Sequence, residues 1–171
     1  MKIQSRNITE GRFDKSMGHL GGEIYKGRMP TRSFQLSWHE LPANTKSLAL
    51  IFIDHDAIPV CGFSWIHWTV ANIDPAQQAL AENASAAGGL LEGVNSWASG
   101  ILPEAWKLTP EEATRYGGCA PPDQPHLYTI ELYALDKKLA LQKGFFMNEL
   151  IHAMSGHVLE KATLSATYNN L

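Results

Sequence analysis

The sequence has little cysteine and no cluster of basic residues, and both shortages narrow the classes of protein to which it can belong. Two cysteines, Cys61 and Cys119, are too few for a disulfide framework and lack the C-x-x-C spacing of a zinc or redox site. We expect two free, half-buried thiols. Fourteen Lys and Arg against seventeen Asp and Glu give a net charge of -3, without a basic patch for a polyanion. Nucleic acid is therefore not an expected partner.

Long apolar runs are also missing. The longest one, residues 48–53, is far shorter than the roughly 20 residues that a transmembrane helix needs. Residues 1–13 contain no apolar stretch behind Lys2 of the kind that a signal peptide has. The sequence therefore predicts a cytoplasmic protein without a transmembrane segment.

The common catalytic motifs are absent. The pair His39-Glu40 is not followed by the second histidine of a zinc protease motif, and residues 62–66 lack the last glycine of a nucleophile elbow. His152 and His157 would lie about 140° apart around a helix, so they cannot share a metal ion. The sequence predicts no cofactor and no metal, and it favours a binding protein over an enzyme.

The composition is that of an ordinary globular chain. Hydrophobic residues make up 44% and charged residues 18% of the sequence, far from the balance of disordered chains. A length of 171 residues is usual for one domain, and no biased stretch divides the chain. We therefore expect a single domain over residues 1–171.

Five segments are rich in β-branched and aromatic residues and are bounded by Pro, Gly, Asn or Asp, as strands are. They are residues 34–38, 47–54, 63–73, 127–135 and 163–168. The segment 47–54 is almost continuously apolar, which indicates a strand in mid-sheet with both faces covered. The pattern predicts a mostly β fold with few helices.

Only two segments have helical signals. Residues 145–160 repeat an apolar side chain at every fourth position, at Phe146, Leu150, Met154 and Val158. Gly156 costs this helix about 1 kcal/mol relative to Ala, which indicates close packing or an early end. Residues 109–115 begin with a capping box of Thr109 and Glu112, which predicts a second, shorter helix.

Polar side chains at the edges of three predicted strands form the candidate site. Asp54 and Asp56 follow the buried strand, and His67 lies inside an aromatic one. His126 and Tyr128 open the fourth strand and point to the same face, because side chains alternate along a strand. Burying His67 is costly unless it is hydrogen-bonded. It is either a satisfied core histidine or a ligand group, and periodicity leaves both open.

Residues 116–122 (YGGCAPP) precede the fourth strand with two glycines and two prolines. Gly117 and Gly118 allow the backbone to approach a ligand closely, and Pro121 and Pro122 stiffen the chain that follows. An ordinary turn before a strand has a similar composition. The segment is therefore either a pocket rim or a simple turn.

The order of three motifs resembles the phosphatidylethanolamine-binding family, in particular its bacterial Raf-kinase-inhibitor-like branch. The motifs are DHDA at 54–57, SWIHW at 64–68 and YGGCAPPDQPHLYTIELYALD at 116–136, and the resemblance covers residues 34–168. It implies a central, largely antiparallel sheet, a smaller second sheet and a pocket for phosphate-like anions. The positions that match pocket and rim residues of the family are Asp54, Asp56, His67, Gly118, Pro121, Pro122, His126 and Tyr128.

The chain departs from the family pattern mainly around the pocket rim. The departures are His55 for a proline, one extra residue before Pro59, Cys119-Ala120 for Pro-Cys, Leu127 for an arginine, and a longer stretch at 97–115. The family segment turns sharply at the proline that matches Pro59, so we expect a cis peptide bond between Ile58 and Pro59. The resemblance thus implies a retained pocket core with an altered rim.

Residues and resemblance together predict a binding protein, without turnover, for a small phosphorylated or carboxylated ligand. Imidazoles and the Tyr128 hydroxyl can donate hydrogen bonds to an oxyanion, while Asp54 orients an imidazole or meets an ammonium group. The alternative is a hydrolase in which His67 or His126 is the general base, with Cys119 as a possible nucleophile. These side chains are also chemically able to bind a metal ion. A protein partner and a homodimer are further possibilities that the resemblance implies.

Overall fold

The computed structural model describes all 171 residues, and strands dominate it. The strands are β1 (Lys2–Gln4), β2 (Ile8–Thr9), β3 (Arg12–Phe13), β4 (Ile24–Tyr25), β5 (Met29–Pro30), β6 (Leu36–His39), β7 (Ser47–Asp54), β8 (Trp65–Ile73), β9 (Ala79–Leu80), β10 (Leu91–Glu92), β11 (His126–Leu135) and β12 (Val158–Tyr168). The α-helices are α1 (Ile58–Cys61), α2 (Ala84–Ala87) and α3 (Met147–Met154), and single 3-10 turns occupy Lys15–Met17, Pro75–Gln77 and Ser96–Ala98. The predicted fold class, mostly β with few helices, is confirmed.

The central sheet has seven strands in the order β10-β8-β7-β11-β12-β3-β2. All neighbouring pairs in it are antiparallel except β12 and β3, which meet in parallel at Thr167 and Arg12. A second sheet has the order β1-β6-β9, and β4 pairs with β5. The expected largely antiparallel sheet with a smaller second sheet is therefore present.

Strand β7 lies in mid-sheet with both faces covered, as its continuous apolar sequence predicts. Every residue of the strand is buried. Leu48, Leu50 and Phe52 belong to the main core, whereas Ile51 and Ile53 pack in the cluster formed with α3. Each such side chain contributes roughly 1.5–3 kcal/mol on burial. This packing fixes the position of Asp54, the last residue of the strand.

All five predicted strands occur, with shifts at their ends. The bounds of β7 match the prediction, β8 and β6 each begin two residues late, and β11 begins one residue early, at His126. Strand β12 begins at Val158 rather than at residue 163. The remaining strands have two or three residues, too few to show an alternating pattern.

The helix predicted over 145–160 is shorter in the structure. It spans Met147–Met154, and Gly156 then adopts a φ of +76°, which lets the chain reverse into β12. Val158 therefore belongs to the strand, although it continues the helical period of the sequence. None of the three helices is long and apolar enough to span a membrane.

The short helix predicted over 109–115 does not form. The capping box is present, since the Glu112 backbone N–H donates to Thr109 Oγ1 at 3.2 Å and the Thr109 N–H donates to Glu112 Oε2 at 3.0 Å. Only one turn follows, because the Ala113 carbonyl accepts from the Asn95 N–H, an interaction across the fold. A capping box thus marks a single turn here.

The prediction of a cis bond before Pro59 was wrong, because all peptide bonds of the chain are trans. Pro59 lies in the first turn of α1. This position suits proline, whose fixed φ matches the helix and whose missing N–H would have no partner there. The extra residue before Pro59 is thus accommodated by a helical turn.

Candidate functional site

Asp54, His67, His126 and Tyr128 come together at one end of the central sheet, where β7, β8 and β11 are neighbours. Asp54 ends β7 and is paired with Tyr128 of β11 on one side and with Trp65 of β8 on the other. His67 lies two positions along β8 from Trp65, where β8 has one extra residue in its pairing with Phe52 and Ile53 of β7. The strand register therefore gathers the side chains that the sequence motifs single out.

A cavity of about 270 Å³ adjoins these side chains. Asp54, His67, His126, Tyr128 and Pro122 are among its fourteen lining residues, ten of which are hydrophobic. Its apolar wall includes Trp65, Trp97, Ile101, Leu102 and Trp106. No lysine or arginine lines it. The polar part of the cavity is therefore small and contains few charges.

His126 is held between two carboxylates. Its Nδ1 lies 2.8 Å from Asp54 Oδ2, and its Nε2 lies 2.9 Å from Asp123 Oδ1. Burial lowers the pKa of His126, but the hydrogen bonds and charges of Asp54 and then Asp123 outweigh this and raise the pKa above its ordinary value. His126 is therefore an imidazolium that donates both N–H groups to carboxylates. Neither ring nitrogen is left for an oxyanion, in contrast to the expectation from sequence.

His67 has one satisfied and one unsatisfied ring nitrogen. Its Nδ1 lies 2.6 Å from the carbonyl oxygen of Gly117, which can only accept, so Nδ1 is protonated. Nε2 has no partner among the protein groups, although the residue is only 3% exposed. Burial lowers the pKa of His67, against the opposing charge of Asp54. The imidazole is therefore neutral, and Nε2 is a buried acceptor without a donor.

The hydroxyl of Tyr128 is a hydrogen-bond donor and so complements the acceptor His67 Nε2. It accepts a hydrogen bond from the Ala120 N–H at 3.3 Å, which leaves its own proton free to donate. Burial raises the pKa of Tyr128 well above its ordinary value, so the hydroxyl stays neutral. The Tyr128 and His67 rings meet edge to face, with centroids 5.1 Å apart. Two neighbouring side chains that line the cavity thus carry a free donor and a free acceptor.

Three of the residues expected to bind the ligand do not line the cavity. The Gly118 N–H donates to the Pro30 carbonyl at 2.7 Å, which fixes the loop against the core. Asp56 Oδ2 accepts from the Leu127 N–H at 2.8 Å and ties the end of β7 to the start of β11. Pro121 is buried behind the wall, whereas Pro122 lines it. Gly118, Pro121 and Asp56 therefore support the cavity from outside it.

We expect Gly118→Ala to destabilise the protein. An added Cβ would lie 2.5 Å from the Met17 carbonyl oxygen and 2.8 Å from Pro30 Cβ, and a backbone atom cannot move aside cheaply. Overpacking of this kind costs about 1–3 kcal/mol, measurable by urea unfolding. Gly100→Ala is the control, since nothing lies within 4 Å of its Cβ position. Equal stability of the two variants would contradict the close packing of Gly118 against Met17 and Pro30.

The two cysteines are free but differ in burial. Cys61 is half-buried, as predicted, lines the cavity and donates to the Phe63 carbonyl at 3.2 Å. The prediction was wrong for Cys119, which is fully buried because its backbone pairs with Gly18 inside the core. Burial raises the pKa of the Cys119 thiol well above its ordinary value. Cys119 therefore cannot serve as a nucleophile in the cavity.

The sequence did not predict that Asp123 contacts His126 or that Trp97 and Trp106 line the cavity. Asp123 stands three residues before His126 in a polar loop and has no motif of its own. Trp97 and Trp106 fall in the stretch 97–115, which the resemblance stated above implied to be unusually long. The only signal was this length together with the apolar residues in it, because packing of a loop against a distant strand leaves no local pattern.

The fold and the cavity together define a class of small β-sheet proteins with a ligand-sized pocket at one end of the central sheet. A family model described as phosphatidylethanolamine-binding protein matches residues 7–169. The chain belongs to the phosphatidylethanolamine-binding protein family.

Relatives with known sequences or structures agree with this assignment. An uncharacterized Bacillus subtilis protein, YxkA, is 47% identical over 137 residues, which cover 79% of this chain and 80% of that protein. A protein of Methanothermobacter thermautotrophicus is 37% identical and covers 84% of this chain and 91% of its own. The crystal structure of a phosphatidylethanolamine-binding protein homologue from Chlamydia trachomatis has a TM-score of 0.77 at 30% identity, covering 98% of this chain and 95% of that one.

Proposed function

We propose that this chain is a single-domain, non-enzymatic binding protein that holds the acidic head group of a small ligand, a phosphate or a carboxylic acid, in the cavity. One observation supports this above all: the unpaired acceptor of His67 and the free hydroxyl proton of Tyr128 belong to two side chains that both line this largely apolar cavity, with ring centroids 5.1 Å apart. A buried polar atom without a partner costs about 1–3 kcal/mol, so a ligand that pairs with it gains this amount on binding.

The charges around the cavity define the form of the ligand. Asp54 and Asp123 contribute two negative charges against the single positive charge of His126. A fully ionised anion would therefore meet repulsion and the lone pair of His67. A head group that keeps one proton, such as hydrogen phosphate or a carboxylic acid, offers an O–H to His67 Nε2 and an oxygen to the Tyr128 hydroxyl. The ligand is thus an oxyacid bound in its protonated form.

The same geometry weighs against the hydrolase alternative. His126 has no free lone pair to act as a general base, because both nitrogens donate to carboxylates. No serine or threonine lines the cavity, and the Cys61 thiol donates to a backbone carbonyl. His67 has a free nitrogen but is oriented by the Gly117 carbonyl rather than by Asp54. Binding without turnover is therefore the better-supported function.

Calorimetric titration with inorganic phosphate at pH 6, where phosphate still carries a proton, tests the proposal. We expect phosphate to bind, and Tyr128→Phe to weaken its binding about tenfold or more, since a hydrogen bond to a charged group is worth about 1.5–3 kcal/mol. Tyr133→Phe is a matched control, because its hydroxyl contacts Glu131 and does not line the cavity. The proposal is contradicted if phosphate does not bind the parent protein or if Tyr128→Phe binds phosphate as well as the control does.

A protein partner, a homodimer and a cytoplasmic location remain predictions that come from the resemblance and the composition. Sedimentation velocity at several protein concentrations tests the homodimer. A single species at the mass of one chain, 18.9 kDa, would contradict it. Copurification from native cell extract with the parent protein and with Tyr128→Phe would show whether a partner depends on the cavity.

A further inference from the structure

We propose that the cavity selects an oxyacid that bears a compact aromatic group, and that Trp106 is the residue that selects it. The inference rests on the proposed function, because the same ligand would place its acidic group at His67 and Tyr128. It adds the chemical class of the rest of the ligand. The starting point is the apolar part of the cavity, most of which comes from a loop outside the sheet.

That side consists of residues from the loop after the strand β10. Trp97, Ile101, Leu102 and Trp106 all line the cavity. With Trp65 from β8, three of the five tryptophans of the chain lie in this one wall. The Trp65 and Trp97 rings meet edge to face at a centroid distance of 5.8 Å. A wall of this composition is suited to an aromatic partner, because ring pairs gain about 0.5–1.5 kcal/mol beyond the area they bury.

The mouth of the cavity leaves apolar surface uncovered. Ile101 is 56% exposed and Trp106 50% exposed, although both line the cavity. Val60, which lines the cavity from α1, is 47% exposed. Exposed apolar side chains around a concave site indicate a surface that a bound ligand would cover. A ligand in the cavity would therefore bury the indole of Trp106.

The wall is fixed by hydrogen bonds at both ends of the loop. The Leu108 N–H donates to the Trp97 carbonyl at 2.9 Å and closes the loop. The Asn95 side chain accepts from the Trp97 N–H at 3.0 Å and donates to the Arg115 carbonyl at 2.9 Å. The Trp106 N–H donates to the Pro103 carbonyl at 2.7 Å. These bonds fix the backbone that carries Trp97 and Trp106.

The size of the cavity favours a ring over a long chain. A volume of about 270 Å³ lies just below the roughly 300–1,000 Å³ that is usual for small-molecule pockets. A head group and one ring fill this space, whereas most of a long acyl chain would extend into water. The proposed ligand is therefore an aryl phosphate or an aromatic carboxylic acid.

Calorimetry with inorganic phosphate, phenyl phosphate and n-hexyl phosphate at pH 6 tests the inference, since both esters have six carbons. We expect phenyl phosphate to bind the parent protein about tenfold more tightly than inorganic phosphate and also more tightly than hexyl phosphate. In Trp106→Ala the ratio of phenyl phosphate to inorganic phosphate affinity should fall towards one. Phe146→Ala is the matched control, because Phe146 is 53% exposed and does not line the cavity.

Trp106→Leu covers the case in which the alanine variant is unstable, since leucine retains an apolar side chain without the ring. We expect it to lose the preference for phenyl over hexyl phosphate. Inorganic phosphate binding without a preference for phenyl phosphate overturns this inference and leaves the proposed function standing. An unchanged ratio in both Trp106 variants also overturns it. Failure of inorganic phosphate and phenyl phosphate alike to bind the parent protein overturns both.

Discussion

His126→Ala is expected to lower the free energy of unfolding by about 3–5 kcal/mol, the usual cost of removing one partner of a buried ion pair. The side chains of His126 and Asp54 are only 1% and 4% exposed. Without the imidazolium, Asp54 Oδ2 loses its partner in the protein interior, and only the bond from the Ala57 N–H to Oδ1 remains. Urea unfolding at pH 6 measures the change. The neighbouring Leu127→Ala, at a side chain 48% exposed, should cost only about 0.5 kcal/mol.

The difference in unfolding free energy between the parent protein and His126→Ala should depend on pH, and this dependence reports the charge on His126. Asp54 and Asp123 raise the pKa of His126 against the effect of burial, so the folded chain binds more protons than the unfolded chain above the ordinary pKa of 6.5. The stability from the ion pair is therefore complete below about pH 6.5 and is lost as the pH rises through the raised pKa. The gap between parent and variant should shrink over that range. A gap independent of pH would show that folding leaves the pKa of His126 unchanged, and a gap that widens as the pH rises would show that His126 is neutral in the folded protein.

The strand framework of the site was predictable from sequence, because continuous burial and alternation leave local patterns. The apolar run of β7 gave its bounds, and alternation placed His126 and Tyr128 on one face. Helical signals were less reliable, since they report local chemistry only. A helical period ran through Gly156 into a strand, and the capping box at Thr109 marked one turn.

The protonation pattern of the site could not be predicted, because it depends on contacts between distant segments. His67 Nδ1 is satisfied by the backbone carbonyl of Gly117, fifty residues away in sequence, which no side-chain motif records. His126 was expected to face an oxyanion, and the carboxylate of Asp123 takes that place. The sequence therefore identified which side chains meet, while the structure identified which of their atoms remain free.

The free Nε2 of His67 is expected to make the protein prefer phosphate to sulfate by at least about tenfold near pH 6. Phosphate and its monoesters still carry a proton there, since the second pKa of a monoester is about 6 and that of inorganic phosphate is higher, and both can donate it to Nε2. Sulfate has no such proton, so His67 itself must become charged, and burial lowers the pKa of His67 and opposes this. Phosphate affinity should then fall by up to about tenfold per pH unit above the pKa of the ligand. Calorimetric titrations with both anions between pH 5.5 and 8 measure these effects, because this range covers the second ionisation of phosphate.

His67→Gln separates this explanation from general electrostatics. A glutamine amide can either donate or accept, so the preference for phosphate should fall towards equal affinity for the two anions. His55→Gln is the control, because His55 is exposed, bonds to Ser64 Oγ at 2.8 Å and does not line the cavity. It should keep both the preference and the pH dependence of the parent protein. Sulfate binding as tight as phosphate in the parent would mean that Nε2 receives its hydrogen bond from another group, and the requirement for a protonated ligand would be wrong.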